Sequence, residues 1–190
     1  MATIAKAPNS CELDKLQNRG WQVQAKPRGA GPEEYKFVQG RTSTTVKVDV
    51  NRVDGTDLDS DGWTYEEAVS RALTVSMNLN YVQKGDLPLV TESQRLLKLA
   101  GESLGGDNKV DVRVWRTDID EGWESTFGVM WEDQDGDANG FRSASVTLSS
   151  VCAPKRIKSV EEGNEKAASV EVDKAELRKV LDPAGESDAS

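Results

Sequence analysis

The chain has 190 residues, with 24 Lys plus Arg against 33 Asp plus Glu, a formal charge of −9 and no histidine. That length fits one domain with an extension, and the acid excess opposes a protein that grips nucleic acid by neutralising phosphates. Absence of His removes the commonest general base and metal ligand, and no apolar run reaches the roughly 20 residues of a membrane span, so no membrane partner is expected.

The acid is unevenly placed. Residues 1–40 carry six bases against four acids, residues 41–157 carry 13 against 20, and residues 158–190 carry five against nine. This divides the chain into an N-terminal segment (1–40) punctuated by Gly and Pro, a β-rich domain (41–157) and an acidic C-terminal extension (158–190).

In chain order, residues 21–25 and 35–38 read as short strands bounded by Gly and Pro. Residues 44–50 alternate, with Val46, Val48 and Val50 on one face. An acidic stretch follows, with Asp54, Asp57, Asp59 and Asp61 before Trp63, then Glu66 and Glu67. Residues 71–81 give the cleanest alternation: Leu73, Val75, Met77, Leu79 and Tyr81 on one side, and Thr74, Ser76, Asn78 and Asn80 on the other. Thr91 with Gln94 three residues on predicts a capping box and a helix over 92–100, stopped near Gly101. Three more strands are expected at 109–116, 122–131 and 141–151. In the first, Val110, Val112 and Val114 oppose Asp111, Arg113 and Trp115. In the second, Trp123, Phe127, Val129 and Trp131 align. In the third, Ala144, Val146 and Leu148 align. A weaker helix is readable at 173–181, ended by Asp182-Pro183. Strands outnumber helices and the turns are rich in Gly and Asp. The expected fold is mainly β, an antiparallel sandwich or barrel with one packed helix.

Candidate chemistry is thin. No GxSxG, P-loop, GxGxxG or HExxH occurs. Carboxylates are numerous, but nothing fixes a pair in space, and no enzyme activity is expected. Asp57-Leu-Asp59-Ser-Asp61-Gly62 fits the first six positions of an EF-hand loop, and Asp135-Gly-Asp137-Ala-Asn139-Gly140 fits a looser form. The twelfth position, which should be Glu, is Ala68 in one and Val146 in the other. These loops motivate the alternative of a calcium-binding β-sandwich adhesion or carbohydrate-binding module. Asp and Gly also gather in ordinary turns, and no metal or cofactor is assigned. Trp123 and Trp131 read as core. Trp115 and Trp63 read as candidates for a protein contact surface, or as partly buried at the edge of the core. Cys11 and Cys152 are far apart in sequence and read as two thiols, with a disulfide as the alternative.

The order of these features resembles the major tail (tube) protein of long-tailed phages. The resemblance rests on the run Arg71-Ala-Leu-Thr-Val-Ser-Met, the patternless segment Lys84-Gly85-Asp86-Leu87-Pro88, the lone helix with Gln94-Arg95-Leu96-Leu97, and three further strands, over about residues 42–154. It implies a tail-tube β-fold and a structural virion protein that forms hexameric rings stacked into a tube, the conduit for DNA ejection. The implied partners are other copies of the chain, a tape-measure protein in the lumen, and tail tip and tail terminator proteins. DNA would pass without specific binding. The resemblance also implies that the loop over 54–69, with Asp54, Asp57, Asp59, Asp61, Trp63, Glu66 and Glu67, reaches a neighbouring subunit or ring. Localisation would be the phage tail.

Overall fold

The structure, a computed structural model, describes residues 20–56, 63–82, 91–136, 139–158 and 160. Among these residues eight strands form one antiparallel sheet: β1 (Trp21–Pro27), β2 (Lys36–Phe37), β3 (Arg41–Asp54), β4 (Glu66–Asn80), β5 (Lys109–Arg116), β6 (Gly122–Gln134), β7 (Ser143–Ser150) and β8 (Lys155–Ile157). The order is β2-β1-β5-β6-β7-β4-β3, with β8 also on β6. Within the described residues one α-helix, α1 (Glu92–Gly101), interrupts the strands. The expected mainly antiparallel β-fold with one packed helix is what the chain adopts.

Register explains the core. Opposite residues of an antiparallel pair share a face. Val23 lies opposite Val114, Val129 opposite Leu148, and Met77 opposite Val146. One face of the sheet is thus continuously apolar, and α1 lays Leu97 and Ala100 on it. Trp123 and Trp131 pack against the same core, as their alternation predicts. The sheet also rolls. The Arg41 guanidinium, at the start of β3, donates to Trp21 O at 2.9 Å and Gln22 Oε1 at 3.1 Å on β1. The two ends of the strand order are thereby drawn together.

The expected capping box does not form. Thr91 makes no side-chain cap, and Gln94, whose side chain would return the second bond, is fully buried and committed elsewhere. Its amide donates to Gln39 O at 2.8 Å and Asn80 O at 3.0 Å and accepts from Val82 N at 3.4 Å. Gly40 makes room for this tie. It has φ +76°, and a Cβ there would sit 2.4 Å from Asn80 O and 2.8 Å from Gln94 Nε2.

The second face differs along the sheet. Over β4 and β7 it is polar as expected: Thr74, Ser76, Asn78 and Asn80 lie opposite Ser149, Thr147, Ser145 and Ser143. Over β1 and β5 it is buried, which corrects the reading of Trp115 as a contact-surface candidate. Trp115 is 2% exposed. The chain after β1 turns back through a 3-10 turn at Pro32–Glu34 and β2, and covers this face. Phe37 reaches the Trp115 ring at 5.9 Å, and the Arg113 guanidinium stacks on the Tyr35 ring at 4.2 Å while donating to Gln24. Alternation was read correctly, but a buried polar and aromatic layer lies where water was expected.

Candidate assembly arm

β3 and β4 form a long hairpin, paired from Arg41↔Leu79 to Asp54↔Glu66. Only residues 74–80 of β4 pair with β7. Beyond Thr74 the hairpin continues as a two-stranded ribbon, from Asp49↔Ala72 to Asp54↔Glu66. At ~3.3 Å per residue that is an arm of about 20 Å. A register shift between Asn51 and Arg52 leaves Val69 as an extra residue in β4. Such a bulge increases the local twist.

The strand pairing ends at Asp54 and Glu66, and one further bond, Gly55 N to Tyr65 O at 2.8 Å, closes the ladder. The Asp54 carboxylate then holds the residues that follow β3. It accepts from Thr56 N at 2.9 Å and from the Thr56 hydroxyl, which hold its pKa below the usual carboxylate range. The Thr56 hydroxyl in turn accepts from Tyr65 N at 3.0 Å. These bonds fix Asp54, Thr56 and Tyr65 at the two strand ends before any partner is met.

Among the residues expected to act here, Asp54 closes β3, Glu66 and Glu67 open β4, and Trp63 lies just ahead of β4. Residues 66–69 are strand, so the loop is shorter than the span expected over 54–69. Asp57, Asp59 and Asp61 lie outside the described residues. So do Asp137 of the second Asp-rich turn, Cys11 and the helix expected over 173–181. Among the described residues no group of three acidic, Cys or His side chains is disposed to hold a metal, and no helix is long and apolar enough to cross a membrane. Cys152 is an exposed free thiol.

What the sequence reading missed is the arm's apolar surface. Trp63 is 80% exposed, and Val50, Val53, Tyr65 and Val69 are also exposed, with Val48 at the arm's base. The only signal was Val53, a β-branched residue past the expected end of the strand, but out of phase with Val46, Val48 and Val50. A two-stranded ribbon is marginal in water on its own, and clustered apolar exposure marks an interaction site. The sheet edge beside it is open too. β3 terminates the strand order, with no strand on its outer side among the described residues. At the other end, the outer edge of β1 is filled by β2, by Val38 N on Val23 O at 2.9 Å and by Arg41 on Trp21 O. A long unpaired edge is a template for another strand.

At the opposite end of β4 a charged knot fixes the body. The Tyr81 hydroxyl donates to Asp133, joined by Trp131 Nε1 at 3.0 Å, Arg142 Nη2 at 3.2 Å and Lys98 Nζ at 3.4 Å. These donors, the Tyr81 hydroxyl foremost, hold the Asp133 carboxyl well below its ordinary pKa.

This fold is shared with solved structures of phage and phage-like tails. The SPP1 tail tube structure aligns with a TM-score of 0.59 and 11% identity, over 84% of this chain and 88% of that one. The tail of an empty gene transfer agent particle, refined with C6 symmetry, aligns at 0.58 and 16%, over 75% and 98%. The virion of a native gene transfer agent particle aligns at 0.57 and 14%, over 75% and 98%. No protein-family model matches the chain, and no curated protein matches it.

Proposed function

We propose that this chain is a structural subunit of a phage tail tube, made in the host cytoplasm and carried in the virion. Six copies close a ring, rings stack, and DNA leaves through the channel without specific binding. The role is architectural, not catalytic. The observation that carries this reading is the arm. A tail-tube fold projects a ribbon of about 20 Å with exposed Trp63, Tyr65 and valines beside an open β3 edge. Asp54, Glu66, Glu67 and Trp63, with Asp57, Asp59 and Asp61 between them in sequence, form the inter-subunit or inter-ring element. The partners are other copies of the chain, a tape-measure protein in the lumen, and tip and terminator proteins at the two ends. The test is negative-stain microscopy of the purified full chain at rising concentration. Rings or tubes with sixfold averages are expected. Monomers that persist at high concentration and in the presence of preformed tail tips overturn the reading.

A further inference from the structure

The second Asp-rich stretch ends in Asn139-Gly140, the one Asn-Gly pair in the chain; the other asparagines precede Ser, Arg, Leu, Tyr, Lys or Glu. The pairing matters chemically, because the backbone nitrogen that follows an asparagine can attack the carbonyl carbon of its side chain. A Cβ on the following residue hinders that approach, and glycine has none. The attack also needs a backbone free to fold back on the side chain, which a nitrogen committed to a hydrogen-bonded ladder is not.

Within the described residues the fold withholds these conditions from the other asparagines. Asn51 sits in the β3–β4 ladder opposite Ser70. Asn78 lies between Ser43 and Ser145, and Asn80 lies opposite Ser143. Tyr81 N, the atom that would attack Asn80, donates to Arg142 O at 2.9 Å. The Asn108 amide donates to Ala100 O at 2.9 Å and Val129 O at 2.8 Å, and Lys109 N donates to Gly106 O at 3.3 Å. The related Asp54-Gly55 pair is held as well, with Gly55 N on Tyr65 O and the carboxylate on Thr56 N. Asn139 stands apart. Pairing of β6 with β7 ends at Gln134↔Ser143, so residues 135–142 form a connection far longer than the two-residue turn in which Asn-Gly is a fixed hairpin corner. Asn139 and Gly140 are both exposed, and Phe141 beside them is 86% exposed. Among the described residues neither the Asn139 amide nor Gly140 N has a hydrogen-bond partner.

We propose that Asn139 is a site of spontaneous deamidation, the asparagine that the fold leaves open among the described residues. Gly140 N bonds to Asn139 Cγ, the Cγ–Nδ2 bond breaks, and the departing nitrogen takes the Gly140 proton and leaves as ammonia. Water then opens the succinimide at either carbonyl. One product is aspartate, and the other is isoaspartate, in which the main chain runs on through the side-chain carbon. Either adds a negative charge to the connection that ends on Arg142, whose guanidinium bonds Asp133 at 3.2 Å and lies over the Tyr81 ring at 4.6 Å. This goes beyond the tube reading and does not depend on it.

The purified full chain is incubated at mildly alkaline pH, digested with trypsin and followed by mass spectrometry. Residues 117–142 form one tryptic peptide, in which Asn139 is the single asparagine. The mass gain of amide-to-acid exchange is expected in that peptide before any other that covers described residues. It should appear as two chromatographic forms, one of them a substrate for isoaspartyl methyltransferase. A synthetic peptide of residues 134–142 sets the unrestrained rate. The folded chain should react within about fivefold of that rate, and Gly140→Ala should slow the folded chain at least about fivefold. Earlier gain at another described asparagine, a folded chain slowed by more than that factor, or indifference to Gly140→Ala overturns the proposal.

Discussion

Trp63→Ala separates assembly from folding. Trp63 is 80% exposed and adds nothing to the packed core. An enclosed Trp buries on the order of 200 Å², so covering the exposed part removes about 160 Å² from water. At about 25 cal/mol per Å² that is on the order of 4 kcal/mol, less about 1 kcal/mol for fixing the side chain. The expected loss is about 2–3 kcal/mol per subunit contact, a rise of about 30- to 140-fold in the concentration needed for assembly. Sedimentation over a concentration series measures that threshold, and thermal melts of the dilute protein should coincide with the parent. A variant that melts like the parent and assembles within twofold of the parent's threshold refutes the assignment of Trp63 to a contact.

Other outcomes follow from the body of the fold. Gln94→Leu strands two carbonyls, Gln39 O and Asn80 O, at about 1–3 kcal/mol each. A loss of about 3 kcal/mol in urea denaturation is expected, and less than about 0.5 kcal/mol would sink the account. Gly40→Ala places a Cβ against Asn80 O in a left-handed backbone and should cost at least about 2 kcal/mol by the same assay. Asp133 has a depressed pKa in the folded chain. Its contribution is therefore complete above the unfolded value near ~4 and fades as pH falls below it. Asp133→Asn should flatten the acid side of the stability curve, and an unchanged curve would count against the knot.

The strands of the body were legible because one residue in two is buried. Over 73–81 and 110–114 the alternation set register and facing correctly. The arm was half legible. Glu66-Glu67-Ala68-Val69-Ser70 shows no period of two, since neither face of the ribbon meets a core and a bulge falls at Val69. Such residues are held in β-conformation by cross-strand bonds alone, which composition does not record. Trp115 was left between a contact surface and the edge of the core for the converse reason. Its neighbours Asp111 and Arg113 look solvated, and only the returning chain, with Tyr35 and Phe37, turns that face inward. Gln94 fitted a local cap, but three partners outside the helix outcompete the helix's own N-terminus.

The tie made by Gln94 has a bearing on the order in which the chain folds. A helix with its own cap is a local object, ready early. α1 is instead docked by one amide that must find Gln39, 55 residues upstream, together with Asn80 and Val82, and by Ser93 on Phe37 O at 2.7 Å. Of those partners, Gln39, Asn80 and Val82 come together only once β3 and β4 have paired and the corner at Gly40 has turned. The helix, the most local element in the sequence, is therefore among the last to be secured. Contacts of such long sequence separation slow folding, and the hairpin that carries the arm is a precondition of the helix that covers the core.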